Sequence, residues 1–225
     1  MWKSKTLGTS RIAQQRVKGR LQMEALVHSG VDAMVLGDAD LALGLDWLGQ
    51  QARELDLPYV ATNFTCEGIT MPSHRLVEVG DLRVGVLGII GREQAGACTF
   101  KAVVPAINTS ISAMGEVDLV VVLSHQDASA ERSMAAAVPA VDVVVNGHSK
   151  KTNAAPIALG ESAVQLGAGS RGKKLGVATL RLTEGATGFR VEGEAARLEK
   201  QLSRAEERIQ KTQDQLERAK SDESA

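Results

Sequence analysis

Short apolar runs alternate with amphipathic stretches over most of the chain. The apolar runs, rich in valine and leucine, are residues 33–36, 59–62, 119–123 and 141–145. Runs of this length predict strands that are buried on both faces, as in a parallel sheet. The stretches with helical periodicity are residues 10–28, 45–55, 105–114 and 129–137. Strands that alternate with helices in this way predict an α/β layered domain.

A different pattern interrupts this alternation near the middle of the chain. Residues 75–79 and 82–90 are two strand-like runs joined by Gly80 and Asp81, which predicts a β-hairpin. A hairpin pairs its strands antiparallel, so the sheets are expected to be mixed. Further short strands are predicted at residues 163–166 and 175–182. We assign this α/β domain to residues 1–190.

The pattern changes again near the C-terminus. Apolar and small residues follow one another at spacings of four and three: Leu198, Leu202, Ala205, Ile209, Thr212, Leu216 and Ala219. This heptad repeat predicts a separate helix over residues 195–222. The helix is either a solvated spacer, a helix packed on the domain, or a weak coiled coil that serves self-association or docking.

Composition narrows the range of partners. The chain has 225 residues and 44% of them are hydrophobic, which is enough for a substantial core. Aromatic residues make up 3% and the formal net charge is −1, so neither base stacking nor a basic surface favours nucleic-acid binding. No stretch approaches the roughly 20 apolar residues of a membrane span. Small-molecule or protein partners are favoured.

The cysteines and the N-terminal residues are compatible with more than one cellular compartment. Cys66 and Cys98 lie far apart without metal-binding spacing, so a disulfide is possible but not required. The N-terminal residues lead into a polar helix without the apolar core of a signal peptide, which predicts a cytoplasmic location for the chain as written. A start codon placed inside a longer gene would give the same pattern.

Three of the predicted strands end in polar residues. Asp38, His125 and His148 each follow a buried run, at the carboxyl edge where α/β sheets place their ligands. Carboxylate oxygens and imidazole nitrogens suit Zn, Mn or Fe, so these residues are candidates to hold one divalent metal. Each residue also has a structural interpretation: Asp38 as the cap of a turn, His125 as a helix cap and His148 as a hydrogen-bonded loop residue.

Several motifs resemble one family. Residues 31–44 resemble the segment D-A-hydrophobic-G-N-H-E-F-D-x-G of calcineurin-like metallophosphatases, in the branch of the 5′-nucleotidases and UDP-sugar hydrolases. Residues 123–125 resemble the L-S-H-x-G motif of that branch, and residues 141–149 resemble its D-hydrophobic-G-G-H-S-H motif. Weaker matches lie at residues 58–64 and 165–176. The resemblance covers about residues 22–182 in the family's order.

The resemblance implies a four-layer α/β/β/α sandwich and a dimetal phosphoester hydrolase of nucleotide catabolism. Asp38 aligns with an asparagine metal ligand of the family, and His125 and His148 align with histidine ligands. These three residues would hold one metal. The implied substrate is a small phosphorylated molecule, and the implied location is periplasmic or extracellular if the N-terminus is truncated.

Two substitutions depart from the family pattern. Ala39 stands where the family has its catalytic histidine, and Lys150 stands where it has a ligand of the second metal. No Asp-x-His motif occurs in the chain either, so the dimetal site is expected to be incomplete and hydrolysis weak or absent. Lys150 is a candidate for contacting a phosphate in place of that metal. The alternative is a pseudoenzyme: a non-catalytic binding or scaffold domain with a helical spacer, part of a larger exported protein.

Overall fold

The structure is a computed structural model that describes residues 9–91, 98–149, 155–170, 172–183, 185 and 188–222. For residues 9, 10, 38, 39, 194, 196, 197 and 217–222 the description is limited to the backbone. The chain divides into two compact units, Met1–Phe189 and Arg190–Ala225. The second unit consists mainly of one long helix.

The elements follow one another in a mixed α/β order. They are α1 (Thr9–His28), α2 (Asp38–Leu41), α3 (Leu45–Glu54), β1 (Phe64–Cys66), β2 (Arg75–Val79), β3 (Leu82–Ile90), β4 (Cys98–Phe100), α4 (Val103–Met114), β5 (Leu119–His125), α5 (Ala128–Ala137), β6 (Val143–Asn146), β7 (Ile157–Leu159), β8 (Ala163–Leu166) and α6 (Glu194–Asp222). The predicted α/β class with mixed sheets and a C-terminal helix is confirmed.

A six-stranded sheet with the order β2-β3-β5-β6-β8-β7 forms the centre of the first unit. Its inner strands β3, β5, β6 and β8 are parallel, and the outer strands β2 and β7 pair antiparallel with their neighbours. The hairpin β2–β3 therefore joins the sheet as predicted, with Gly80 in the left-handed region at its turn. A second, two-stranded sheet pairs β1 with β4.

Two apolar cores lie on either side of strand β3. Leu87 and Ile89 point into a core that they share with β5, β6, α4 and α5, whereas Ile90 belongs to a core with α1, α3, β1 and β4. Successive side chains of a strand point to opposite faces, so one strand can serve both cores. This explains why residues 85–90 of β3 are all buried.

The segments predicted as strands at residues 33–36 and 59–62 are only partly regular. A single parallel bridge, Met34 to Tyr59, joins them. Beyond it, one backbone hydrogen bond, from the Thr62 N–H to the Gly88 carbonyl at 2.8 Å, joins the second segment to β3. Side chains add to it: Thr62 Oγ1 accepts a hydrogen bond from the N–H of Gly88 at 2.9 Å. Asn63 Oδ1 accepts from the N–H of Ile90, and its Nδ2 donates to the Ile90 carbonyl, both at 3.1 Å. The strand prediction was therefore wrong in its extent.

The strand predicted at residues 175–182 was also wrong. This segment has no regular secondary structure, and Leu175 and Val177 are almost fully exposed. Alternating apolar residues give a strand only when a neighbour supplies hydrogen bonds, and no residue in the described ranges pairs with this segment.

Cys66 and Cys98 form a disulfide between the paired strands β1 and β4. They are direct partners in the antiparallel register, and their Cα atoms are 4.1 Å apart. Both residues are buried within the second core. The bond therefore closes a loop that contains the whole β2–β3 hairpin. Among the described helices, none is long and apolar enough to cross a membrane.

Gly88 is predicted to tolerate no side chain. A Cβ atom there would lie 2.2 Å from the carbonyl oxygen of Val60, which is backbone and cannot rotate away. We expect Gly88→Ala to lower the free energy of unfolding by about 2–3 kcal/mol, as overpacking of a core does. Urea denaturation measures this. Gly176→Ala is the matched control, since its Cβ would make ordinary contact with Ala168 at 3.5 Å. Equal losses in the two variants would contradict the steric argument.

The disulfide is predicted to stabilise the first unit. Closing a loop with a sequence separation of 32 residues removes chain entropy from the unfolded state. By that argument it contributes about 3–4 kcal/mol. We expect the double variant Cys66→Ser/Cys98→Ser to unfold at lower urea concentration than the oxidised parent protein. Addition of dithiothreitol should lower the parent to the same midpoint and leave the variant unchanged. A parent protein insensitive to reductant would refute the prediction.

Candidate metal centre

Two histidines meet at the carboxyl edge of the parallel strands. His125 is the last residue of β5, and His148 follows the end of β6 by two residues. Ser124 and Asn146 are register partners across these strands, so β5 and β6 end at the same level of the sheet. His125 Nε2 lies 3.3 Å from His148 Nδ1, and the rings meet edge to face at a centroid distance of 4.9 Å.

The distance between these nitrogens fits joint coordination of one metal ion. Two nitrogens bound to a tetrahedral zinc, each about 2.0–2.1 Å from the metal, are about 3.3–3.4 Å apart. The same separation also allows a long hydrogen bond between one protonated and one unprotonated ring nitrogen. His125 is half-buried and His148 is exposed, so a ligand can reach the pair from solvent.

The segment with Asp38 lies against the same histidine. A Cβ atom on Gly37 would be 3.0 Å from Cε1 of the His125 ring, so any larger residue would crowd the ring. Asp38 then begins α2. The turn is held by Asp40, whose carboxylate accepts a hydrogen bond from the Gly37 N–H at 2.8 Å. The structure therefore brings the backbone of the predicted ligand segment to the histidine pair.

The predicted site is only partly within the described residues. The side chains of Asp38 and Ala39 and the whole of Lys150 lie outside them. Among the described side chains, no three His, Cys, Asp or Glu residues are close enough together to hold a metal ion. What the structure shows is thus a pair of imidazoles with the backbone of a third predicted ligand beside it.

The helix next to the site is capped by Asp127 rather than by His125. The Asp127 carboxylate accepts hydrogen bonds from the N–H groups of Ser129 and Ala130, both at 2.8 Å. These two bonds hold the pKa of Asp127 below its usual value, and the nearby His148 acts in the same direction. An ionised carboxylate therefore lies close to the histidine pair.

A buried carboxylate anchors the loop that carries His148. Glu131 on α5 is fully buried. One carboxylate oxygen accepts from Asn146 Nδ2 at 2.6 Å, and the other accepts a short hydrogen bond from Gln165 Nε2 on β8. Asn146 Oδ1 in turn accepts from the N–H of Ser149 at 2.6 Å. The chain on both sides of His148 is thereby tied to the interior of the domain.

Sequence reasoning missed Glu131, although a pattern points to it. Glu131 shares one helical stripe with Met134, Ala135 and Val138, all of which are buried. A charged residue in an apolar stripe must find hydrogen-bond partners, because an unpartnered buried charge is very costly. By contrast, Ser124 Oγ and Gln126 Nε2, on either side of His125, are buried without a partner in the described part of the chain. A bound water or ion is one way in which such groups are satisfied.

No protein-family model and no curated protein matches the sequence. Solved structures do match. The sulfate thiohydrolase SoxB of Thermus thermophilus superposes with a TM-score of 0.59 at 17% identity, over 73% of this chain and 32% of that one. A 5′-nucleotidase precursor of the same organism gives a TM-score of 0.55 at 20% identity, over 68% of this chain and 36% of that one.

A third match is the calcineurin-like phosphoesterase YfkN of Bacillus subtilis. It superposes with a TM-score of 0.50 at 20% identity, over 64% of this chain and 55% of that one. Matches at identities of this size show the fold alone. The chain shares the fold of these proteins, which confirms the predicted metallophosphatase-like fold. It spans about a third of the length of the thiohydrolase and of the nucleotidase precursor.

Glu131 is predicted to be the main anchor of the His148 loop. Glu131→Ala removes the carboxylate that accepts from Asn146 Nδ2 and Gln165 Nε2 inside the core, although Asn146 Nδ2 keeps its bond to the Gln126 carbonyl at 3.1 Å. We expect a loss of about 2–4 kcal/mol in the free energy of unfolding, measured in urea, because a hydrogen bond to a charged group contributes about 1.5–3 kcal/mol. Arg132→Ala changes the exposed neighbour and should shift stability by less than about 0.5 kcal/mol. A Glu131 variant as stable as the Arg132 variant would show that the network contributes nothing.

Proposed function

We propose that this chain is a metallophosphoesterase-type domain that binds one divalent cation through His125 and His148, with Asp38 as the third ligand. The observation that carries the proposal is the 3.3 Å approach of His125 Nε2 and His148 Nδ1 at the carboxyl edge of β5 and β6. The backbone of Gly37 and Asp38 beside His125 supports the third ligand. Imidazole and carboxylate donors favour Zn, Mn or Fe.

The proposed ligand of this centre is a small phosphorylated molecule. A divalent cation in such a place supplies Lewis acidity toward a phosphoryl oxygen. The chain itself contributes two histidines to hold the cation and, in our proposal, the ammonium group of Lys150 to offset phosphate charge. Ala39 has no group that could donate a proton to a leaving oxygen. We therefore expect phosphate or phosphoester binding with slow or no hydrolysis, and an incomplete dimetal site.

The disulfide supports an oxidising compartment for this domain. Structural disulfides persist in secreted and periplasmic proteins and are rare in the cytosol. Cys66 and Cys98 are both buried, so their bond is of the structural kind rather than an exposed redox couple. We propose that the domain functions in the periplasm or outside the cell.

A second candidate function is that of a non-catalytic scaffold. The exposed leucines of α6, among them Leu198 and Leu202, favour this proposal because they offer a surface for docking or self-association. In that case the metallophosphatase fold would serve only as a binding module. Metal content and turnover distinguish the two functions.

The metal proposal is tested with histidine variants of the purified protein. We expect His125→Ala and His148→Ala each to weaken Mn²⁺ or Zn²⁺ affinity by about 100-fold or more, since even indirect changes around a metal cost 10–100-fold. Isothermal titration and elemental analysis measure this loss. His28→Ala is the matched control, because His28 is an exposed histidine at the end of α1 and should bind metal as the parent does. Metal content that is unchanged in both site variants would refute the metal proposal.

Turnover is measured on the same proteins. Hydrolysis of nitrophenyl phosphate in added Mn²⁺ should be slow in the parent protein and lost in His148→Ala. Metal binding without turnover, and with phosphate binding that depends on Lys150, would indicate a binding domain. Turnover that persists in His148→Ala would show that the activity arises elsewhere.

A further inference from the structure

Helix α6 carries an apolar seam that no described residue of its own unit, Arg190–Ala225, covers. The seam consists of Leu198, Leu202, Ala205, Ile209, Thr212, Leu216 and Ala219. Its large residues are well exposed: Leu198 by 52%, Leu202 by 61%, Ile209 by 59% and Leu216 by 55%. In proteins most of the stability of a helix comes from packing of its apolar face, so the seam of this 29-residue helix favours a partner helix.

From Leu202 onward, large and small residues occupy different positions of the heptad. The a positions are Leu202, Ile209 and Leu216, and the d positions between and after them are Ala205, Thr212 and Ala219, whereas Leu198 is a large d position before them. In a parallel pair, a meets a and d meets d, so layers of two large residues would alternate with layers of two small ones. The distance between the helix axes depends on the side chains at each contact. In a parallel pair the distance between the helix axes would therefore have to be large at one layer and small at the next.

An antiparallel pair removes this mismatch. There each a position faces a d position of the other helix. Leu216 then packs on Ala205 of the second copy, Ile209 on Thr212, and Leu202 on Ala219. Every layer from residue 202 to residue 219 combines one large and one small side chain, so the helix axes can keep a constant distance without cavities or overpacking.

The charges beside the seam favour the same direction. A parallel pair would place Glu194 against Glu199 of the second copy, which is a repulsive contact. An antiparallel pair places Glu199 against Lys220, which is attractive. The remaining flanking contacts pair a charged residue with a glutamine in either direction. Flanking charges of this kind set the orientation of coiled coils, and antiparallel helix dipoles also attract one another.

We propose that α6 pairs with α6 of a second copy of this chain in an antiparallel two-stranded coiled coil. The pairing is independent of the metal site, so either proposal can fail without the other. It gives Leu202, Ile209 and Leu216 a partner with complementary layers and charges, whereas Leu198 lies outside the paired layers.

Cysteine cross-linking tests the direction of the helices in the full chain. In the antiparallel pair, residue 205 faces residue 216 of the second copy, whereas each of these positions is about 16 Å from itself along the axis. A disulfide requires Cα atoms less than about 7 Å apart. We expect Ala205→Cys mixed with Leu216→Cys to give a covalent heterodimer under mild oxidation. Each variant alone should give none. The parent chain controls for exchange with the Cys66–Cys98 bond.

The reverse pattern would overturn the proposal. Cross-linking of each variant with itself, and none in the mixture, would indicate a parallel pair. Absence of covalent dimer in all samples would indicate that no α6 pair forms.

A size measurement gives an independent check without new cysteines. By light scattering, the parent should approach twice the monomer mass at high concentration, and Ile209→Asp should remain monomeric. Gln210→Lys changes the exposed residue next to it outside the seam and should dimerise like the parent. A monomeric parent at its highest soluble concentration, or a dimer that survives Ile209→Asp, would refute pairing through the seam.

Discussion

The close contact between the Val60–Asn63 segment and strand β3 is the constraint on which the domain depends. Gly88 allows this contact, because any side chain would collide with the carbonyl of Val60. Thr62 and Asn63 then hydrogen-bond to the backbone of β3 with their side chains. In this way β3 joins the core of α4 and α5 to the core of α1 and α3. The bridge between Met34 and Tyr59 then extends this contact to the segment that leads to Gly37.

The histidine pair follows from this arrangement and from the register of the parallel strands. Strands β5 and β6 end at the same level, and the Gly37 backbone lies on the His125 ring. The fold places two imidazole nitrogens at a separation that suits a metal ion. The proposed centre therefore rests on strand ends and on a glycine contact, while Asp127 and Glu131 hold the neighbouring helix and loop in place.

The sequence predicted most of the fold and part of the site. The valine runs indicated β5 and β6. His125 and His148 meet because these two neighbouring parallel strands end at the same edge of the sheet. The same apolar pattern overstated the strands at residues 59–62 and 175–182, because periodicity reports burial and alternation but not a hydrogen-bond partner. The pairing of Cys66 with Cys98 was left open, since spacing along the chain carries no information on proximity. Glu131 was missed because a glutamate on a helix is usually exposed.

The Glu131 network couples the His148 loop to the interior of the domain. Asn146 touches the buried carboxylate with one end of its amide and the backbone of Ser149 with the other. The geometry of the His148 loop is thus set inside the core, and the two form one thermodynamic unit. A ligand that binds this loop would also stabilise α5 and β8 against local opening. Ligand binding would therefore slow amide hydrogen exchange in these two elements, away from the ligand itself.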